Sequence, residues 1–458
     1  MRYKKDAAPL RYASPSAVLA VLGVFPLLIG ALIFWVGLAL QKTGLGLAYH
    51  VSMAGLGLLG LGAILLFLAG ALALILPPED RIRFMVCHSL YNPAYGNPLN
   101  FRDGEILPMV ACYPTKAKDG YSCFILRIQA KGHTVDEVKG LESFISSTLS
   151  GQFRRFAVTK VWGDDAHNYV DFVLEDVTAD RSIIAHDVGE IKPPNPTTLV
   201  VQQGTSIDLT TSGSILVAGK TRSGKTTGVI SLLLQVLAWG RDKFGSMVVI
   251  VDPKRAELSR LPGVVTVDED GGGRAILAAL QKFAELITTR QAVLNERSEE
   301  AGDAVHWWDI GMHPCLLFLD EFVAARTLFP KRSDKDDPEY CLATFDALLK
   351  RIVTMGASAG CYVIISIAEA SVEEGGLPAM LRSAMGTKIL FRPTLPEARL
   401  LWGADKLEAM TDKGHYGPGE AWFSSTDGEH DDVTCVHFPQ LEFPVYRELG
   451  SLLRLYGE

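Results

Sequence analysis

The 458-residue sequence has few cysteines, and nothing in their spacing marks a cross-link or a metal site. Seven are present (Cys87, Cys112, Cys123, Cys315, Cys341, Cys361 and Cys435), and no two fall at C-x-x-C spacing. Reduced, mostly buried thiols are the expectation. The ten histidines lack H-E-x-x-H or comparable ligand spacing, and "GEHDD" around His430 reads as a solvated loop. A guanine-recognising N-K-x-D motif is missing, as are internal repeats and low-complexity tracts. Positive charge is also scarce: 44 Lys and Arg stand against 52 Asp and Glu, a formal net charge of -8. That balance excludes a surface coated with DNA-binding charge. A narrow basic channel stays open, because the relevant charge is local.

Uncharged runs, by contrast, are concentrated at the front. Residues 17–40 and 51–77 carry no charge, and only "QKTGLGLAYH" separates them. Each run is long enough to cross the ~30 Å hydrocarbon layer as a helix of about 20 residues. A cleaved signal peptide has a shorter apolar core, about 7–15 residues. Arg2, Lys4, Lys5 and Arg11 precede the first run, Arg81 and Arg83 follow the second, and Lys42 stands alone between them. The positive-inside rule then predicts a hairpin in the cell membrane with both chain termini in the cytoplasm. Gly55, Gly57, Gly60 and Gly62 would let the second span pack closely on another helix, in the same chain or a neighbour.

The length allows about two or three domains. After the hairpin (1–79), residues 80–198 read as a small cytoplasmic α/β domain that ends in a Pro-rich linker, "KPPNPTT" (192–198). Within it "YSCFILRIQA", "FAVTKVWG" and "NYVDFVLEDV" are strands. "DEVKGLESFISSTLSG" is a helix with Val138, Leu141, Phe144, Ile145 and Leu149 on one face. From 199 to 458 strands alternate with helices, the pattern of a parallel sheet. "SILVAG", "SMVVIVDPK", "PCLLFLDEF" and "CYVIISIAEA" are its strands, and Ile276, Leu280, Phe283, Ile287 and Leu294 mark a long amphipathic helix. Parallel strands open their carboxyl ends onto a ligand crevice, so Asp252, Asp320 and Glu321 should point toward one ligand.

That ligand is a nucleotide. In "AGKTRSGKTTG" Gly219, Gly224, Lys225 and Thr226 have the G-x-x-x-x-G-K-[ST] spacing of a P-loop, between an apolar strand and a helix. The loop Gly219, Lys220, Thr221, Arg222, Ser223, Gly224, Lys225, Thr226 and Thr227 would ring the phosphates of ATP. Lys225 would reach the β- and γ-phosphates, and the Thr226 hydroxyl would hold Mg²⁺. "LLFLDE" then looks like a Walker B element. Asp320 would hold Mg²⁺ through water and Glu321 would polarise the attacking water; a helix cap would explain a lone D-E pair equally well, but behind a P-loop the pair reads as Walker B.

"IVDPKRAELSRL" (250–261) resembles the D-P-K-x-x-E-L signature of the FtsK/SpoIIIE family of DNA translocases. The likeness continues through "RIVTMGASAGCYVIIS" and "GTKILFRPTLPEARLLWG", covering roughly residues 199–425. It implies a RecA-like motor that hydrolyses ATP in a homo-hexamer and pumps DNA without regard to sequence. A hairpin, a small α/β domain and one motor resemble the compact coupling proteins of Gram-positive conjugative elements, which implies a relaxase and other channel proteins as partners. Chromosome segregation and type VII-like protein export are the alternatives. Export motors typically carry several ATPase domains and lack D-P-K. The chain departs from the family pattern at Ala357, in place of an Arg, and in "SIAEAS" (366–371), where Ala368 and Glu369 replace a Gln and an Arg. These departures bear on the coupling of hydrolysis to movement. Arg392 and Arg399 are candidates for an arginine finger acting on a neighbouring subunit, and Lys331, Arg332, Lys350 and Arg351 for phosphate contacts. Trp307-Trp308 reads as core or subunit contact, because a duplex offers no free base faces.

Overall fold

The computed structural model describes residues 2–5, 13–42, 46–117, 119–241, 245–368, 377–407, 410 and 414–457. Two compact units divide the chain, Met1–Asp180 and Arg181–Glu458.

The first unit begins with α1 (Pro15–Gln41) and α2 (Ala48–Ile75), both long and apolar enough to cross a membrane. Ser14 caps α1 by accepting the Ala17 N–H, with Pro15 at the first helical position. The two helices meet through small residues. A Cβ at Gly55 would stand 2.5 Å from the Phe34 backbone nitrogen, and one at Gly62 would stand 2.6 Å from the Leu27 side chain. Gly57 and Gly60 face open space, so only half of the expected glycine set packs this hairpin.

After α3 (Pro78–Tyr91), β1 (Val110–Lys116) and β2 (Ser122–Gln129) come α4 (Val135–Lys139) and α5 (Glu142–Thr148), then β3 (Phe156–Gly163) and β4 (Tyr169–Asp176). The four strands form an antiparallel sheet in the order β1-β2-β4-β3. Where the apolar spacing suggested one helix, there are two. A reciprocal Thr134–Glu137 capping box starts α4, and the chain breaks at Gly140. The apolar phase survives the break, because Val138, Leu141, Ile145 and Leu149 are buried with Leu126, Ile128 and Phe172 of the sheet.

The second unit takes in residues 181–198, including the Pro-rich run. Its β5 (Ile184–Ala185) pairs with β16 (Gln440–Leu441), and β6 (Thr198–Gln202) and β7 (Thr205–Asp208) form a hairpin. Then come β8 (Ile215–Gly219), α6 (Lys225–Leu237), β9 (Met247–Asp252), β10 (Val265–Thr266), α7 (Arg274–Ala301), β11 (Cys315–Leu319), α8 (Phe322–Thr327), α9 (Leu342–Met355) and β12 (Cys361–Ile367). After these follow α10 (Ala379–Ala384), β13 (Thr387–Phe391), α11 (Leu395–Trp402), β14 (Glu420–Ser425), β15 (Thr434–His437) and, beyond β16, α12 (Val445–Gly457). The main sheet has the order β10-β9-β11-β12-β8-β13-β14-β15. Its strands are parallel from β10 to β13, and β14 and β15 run antiparallel.

Both faces of this sheet are covered, which explains strands that read as continuous apolar runs. Ile215 and Val217 point into the core that holds α6, Trp307 and α12, while Leu216 and Ala218 point into the core of α7 and α9. Ile276, Leu280, Phe283, Ile287 and Leu294 are all buried along α7, as their spacing requires. Trp307 is wholly buried, a core residue and not a base-stacking platform. All seven cysteines are unlinked; Cys315 and Cys361 face each other across β11 and β12, both buried.

Candidate nucleotide site

Between β8 and α6 the P-loop takes the backbone that its glycines permit. Gly219 has φ 151° and Gly224 has φ 91°, and a Cβ at Gly224 would stand 2.5 Å from the Gly419 nitrogen. The Ser223 carbonyl accepts the Gly419 N–H at 3.0 Å, so the turn before β14 braces the loop from behind. Ser223 is buried. Lys220, Thr221, Arg222 and Thr227 are exposed, and Gly224, Lys225 and Thr226 are half-buried at the start of α6. A 13-residue helix thus begins at the loop, its first N–H groups aimed at an anion's place.

Strand register brings the acidic residues to the same end of the sheet. β11 lies between β9 and β12, Leu319 is level with Val251 and Ile365, and the Asp320 N–H donates to the Val251 carbonyl at 3.0 Å. The Lys225 ammonium donates to the Ile367 carbonyl at 3.0 Å. Burial lowers the Lys225 pKa, Glu321 and Asp320 oppose that shift, and Lys254 adds to it. The Asp320 carboxyl is shifted upward, first by burial and then by Asp252 and Glu321, while Lys225 and Ser366 favour its ionised form. Carboxylate and hydroxyl oxygens are the donors that a hard divalent cation takes. Among the described residues no three His, Cys, Asp or Glu side chains group to hold a metal ion by themselves. A Mg²⁺ carried by nucleotide phosphates needs no such cage, so Thr226 and Asp320 fit that role.

Glu321 stands in the left-handed region at φ 54°, at the capping position of α8, but its side chain does not cap the helix. One carboxylate oxygen accepts the Ala368 N–H at 3.3 Å, and the other lies 3.1 Å from the Lys254 ammonium. Backbone in that region is strained for a residue with a Cβ, a condition that concentrates at functional sites. Asp252, expected to point at the ligand, does not. It is wholly buried and accepts the N–H groups of Lys254 and Ser259, each at 3.1 Å, so its work is to fold the loop after β9.

Ala368 presents its backbone to the site where the family pattern has a Gln side chain, and Glu369 lies outside the described residues. Ala357 opens a short turn, Ala357–Ala359, after α9. Arg392 has φ 47° and follows Phe391, which is level with Gly219 in the neighbouring strand, so it stands beside the P-loop of its own chain. Its Nε is buried without a hydrogen-bond partner. Arg399, Lys331, Arg332, Lys350 and Arg351 are exposed. Sequence reasoning missed two participants: Lys254, visible only as part of a signature, and Gly419, which carries no motif signal.

No family model matches the chain. It is 24% identical over 416 residues to the DNA translocase FtsK of Vibrio parahaemolyticus serotype O3:K6, covering 80% of this chain and 38% of that protein. With the DNA translocase FtsK of Vibrio vulnificus it shares 24% identity over 286 residues, 53% of this chain and 27% of the relative. The chain therefore spans less than two-fifths of the length of these relatives. Among solved structures, the pCW3 conjugation coupling protein TcpA, in a monomer form with ATPgS, overlays with a TM-score of 0.45 at 13% identity, over 76% of this chain and 93% of that one. The second and third ATPases of EssC from Geobacillus thermodenitrificans overlay with a TM-score of 0.43 at 16% identity, over 61% and 52% of the two chains. A P-loop, a D-P-K loop and an Asp-Glu strand end on one sheet edge thus belong to a chain that is similar to FtsK-type DNA translocases over four-fifths of its length.

Proposed function

We propose that this protein is a membrane-anchored ATPase that translocates DNA, and that it serves as the coupling motor of a conjugative element. The observation that carries the proposal is the meeting of Lys225, Asp320 and Glu321 at the carboxyl end of one parallel sheet, in a chain similar to FtsK translocases. The P-loop would cradle ATP, and Lys225 would neutralise charge on its β- and γ-phosphates. Thr226 and Asp320 would hold Mg²⁺, which supplies further charge neutralisation. Glu321 would orient and polarise the attacking water. Arg392 would act as an arginine finger for a neighbouring subunit in a hexamer; its place beside its own P-loop makes its own site the other assignment. The two apolar helices favour anchoring in the cell membrane, and their basic flanks would keep both chain ends in the cytoplasm. The conjugative role draws on the combination of hairpin, small α/β unit and motor.

ATP hydrolysis by the full-length protein in nanodiscs, with and without DNA of arbitrary sequence, tests the proposal. DNA should raise the rate, since a motor that grips phosphates meets the same group at every step. An ATPase indifferent to duplex and single strands at low salt, yet stimulated by a secreted peptide, would replace DNA pumping with export.

A further inference from the structure

We infer that Lys254 is a positioning residue for Glu321, and that this is what the D-P-K loop contributes to hydrolysis. Taking Glu321 as the group that polarises water, as proposed above, its carboxylate has to be aimed. Nothing local does this. Glu321 stands at the capping position of α8 with φ 54° and makes no capping bond, so α8 itself does not hold its side chain. Two contacts from other elements restrain it. The Ala368 N–H, just past β12, meets one oxygen at 3.3 Å, and the Lys254 ammonium, just past β9, meets the other at 3.1 Å.

The path that delivers Lys254 is built from buried parts. β9 is in parallel register with β11, with Val251 level with Leu319, so residues 252–254 pass alongside Asp320 and Glu321. Asp252 is wholly buried and ties down the backbone on both sides of the bend through the N–H groups of Lys254 and Ser259. Pro253, also buried, fixes its own φ. The loop is thereby rigid up to the Cα of Lys254, and only a flexible stem lies between that point and Glu321. The carboxylate retains lone pairs for a water, because two oxygens offer about four acceptor sites and two are taken. Glu321 is mostly covered, its side chain 12% exposed, while Lys254 is half in solvent at 51%. Removing Lys254 should therefore disturb Glu321 without unfolding the loop.

The experiment is a double-mutant cycle on ATP hydrolysis by the full-length protein in nanodiscs, with binding of a fluorescent ATP analogue measured alongside. Lys254→Met should lower kcat about tenfold, the size of loss that follows slight misplacement of a reacting group, and leave KM and analogue binding nearly unchanged. Lys254→Arg should restore most of the rate. In the Glu321→Gln background Lys254→Met should change the residual kcat by less than about twofold, because residues that act as a unit are not additive. Equal fold-losses in the two backgrounds, or a kcat unchanged or raised by Lys254→Met alone, would overturn the inference. If Glu321→Gln hydrolyses at the wild-type rate, the assignment of Glu321 falls and this inference with it. A slow Glu321→Gln beside a normal Lys254→Met removes Lys254 alone.

Discussion

In the proposed site Lys225 would offer one charge to the phosphates from a half-buried stem, and no neighbouring lysine of the P-loop shares its burial. Lys225→Ala should abolish ATP turnover while leaving membrane insertion unchanged, as measured by phosphate release and by extraction with alkaline carbonate. Glu321→Gln should still bind ATP and hydrolyse it about a hundredfold more slowly, in line with the loss of a group acting on a proton. Burial, Asp252 and Glu321 all penalise the charged form of Asp320, against Lys225 and Ser366. Its folded-state pKa is raised, so above that pKa the charge subtracts from stability. Asp320→Asn should therefore raise the melting temperature of the nucleotide-free protein by a few degrees, of order 1 kcal/mol, while turnover is lost. A lowered melting temperature would mean that Lys225 and Ser366 outweigh burial.

At the scale of elements, the hairpin gives a paired test. Gly62 lies where a Cβ would stand 2.7 Å from the Gly23 carbonyl, whereas Gly60 has open space around it. Gly62→Leu should force α1 and α2 apart and lower the yield of protease-resistant, membrane-inserted protein. Gly60→Leu should be tolerated in the isolated hairpin, since lipid accommodates a leucine as readily as protein does. If both behave alike, the contact between α1 and α2 is not the one described. In the small unit, Thr134→Ala removes one half of the capping box and should cost about 1 kcal/mol, read as a shift in chemical denaturation.

For the whole molecule, the basic flanks of the apolar helices set the expected topology. Reporters fused at residues 10 and 90 should both report cytoplasm, and a cysteine placed at Thr43 should label from outside. Labelling at residue 90 from outside would separate the motor from cytoplasmic ATP. DNA stimulation of the ATPase should fall steeply as salt is raised, because each neutralised phosphate releases counterions on binding. A net charge of -8 makes this a test of local charge, since the protein as a whole repels DNA.

Local chemistry made much of this protein legible in sequence. Two uncharged runs specify helices of membrane length, because length and apolarity alone decide that. The P-loop was legible because its function is carried by consecutive backbone groups, and α7 because Ile276, Leu280, Phe283, Ile287 and Leu294 repeat at the helical period. The Asp-Glu pair after an apolar strand read as a Walker B element because it follows a P-loop, and what the neighbouring strands add is that Glu321 is not a helix cap. Glu321 turns away from the helix it begins because Ala368 and Lys254, distant in sequence, supply an N–H and an ammonium that α8 does not. The same holds for Asp252, whose carboxylate looked ligand-facing until the loop after β9 claimed both oxygens. Strand register fixes which carboxyl groups meet, and register is set by the packing of both sheet faces, a property of the folded chain and not of any stretch within it.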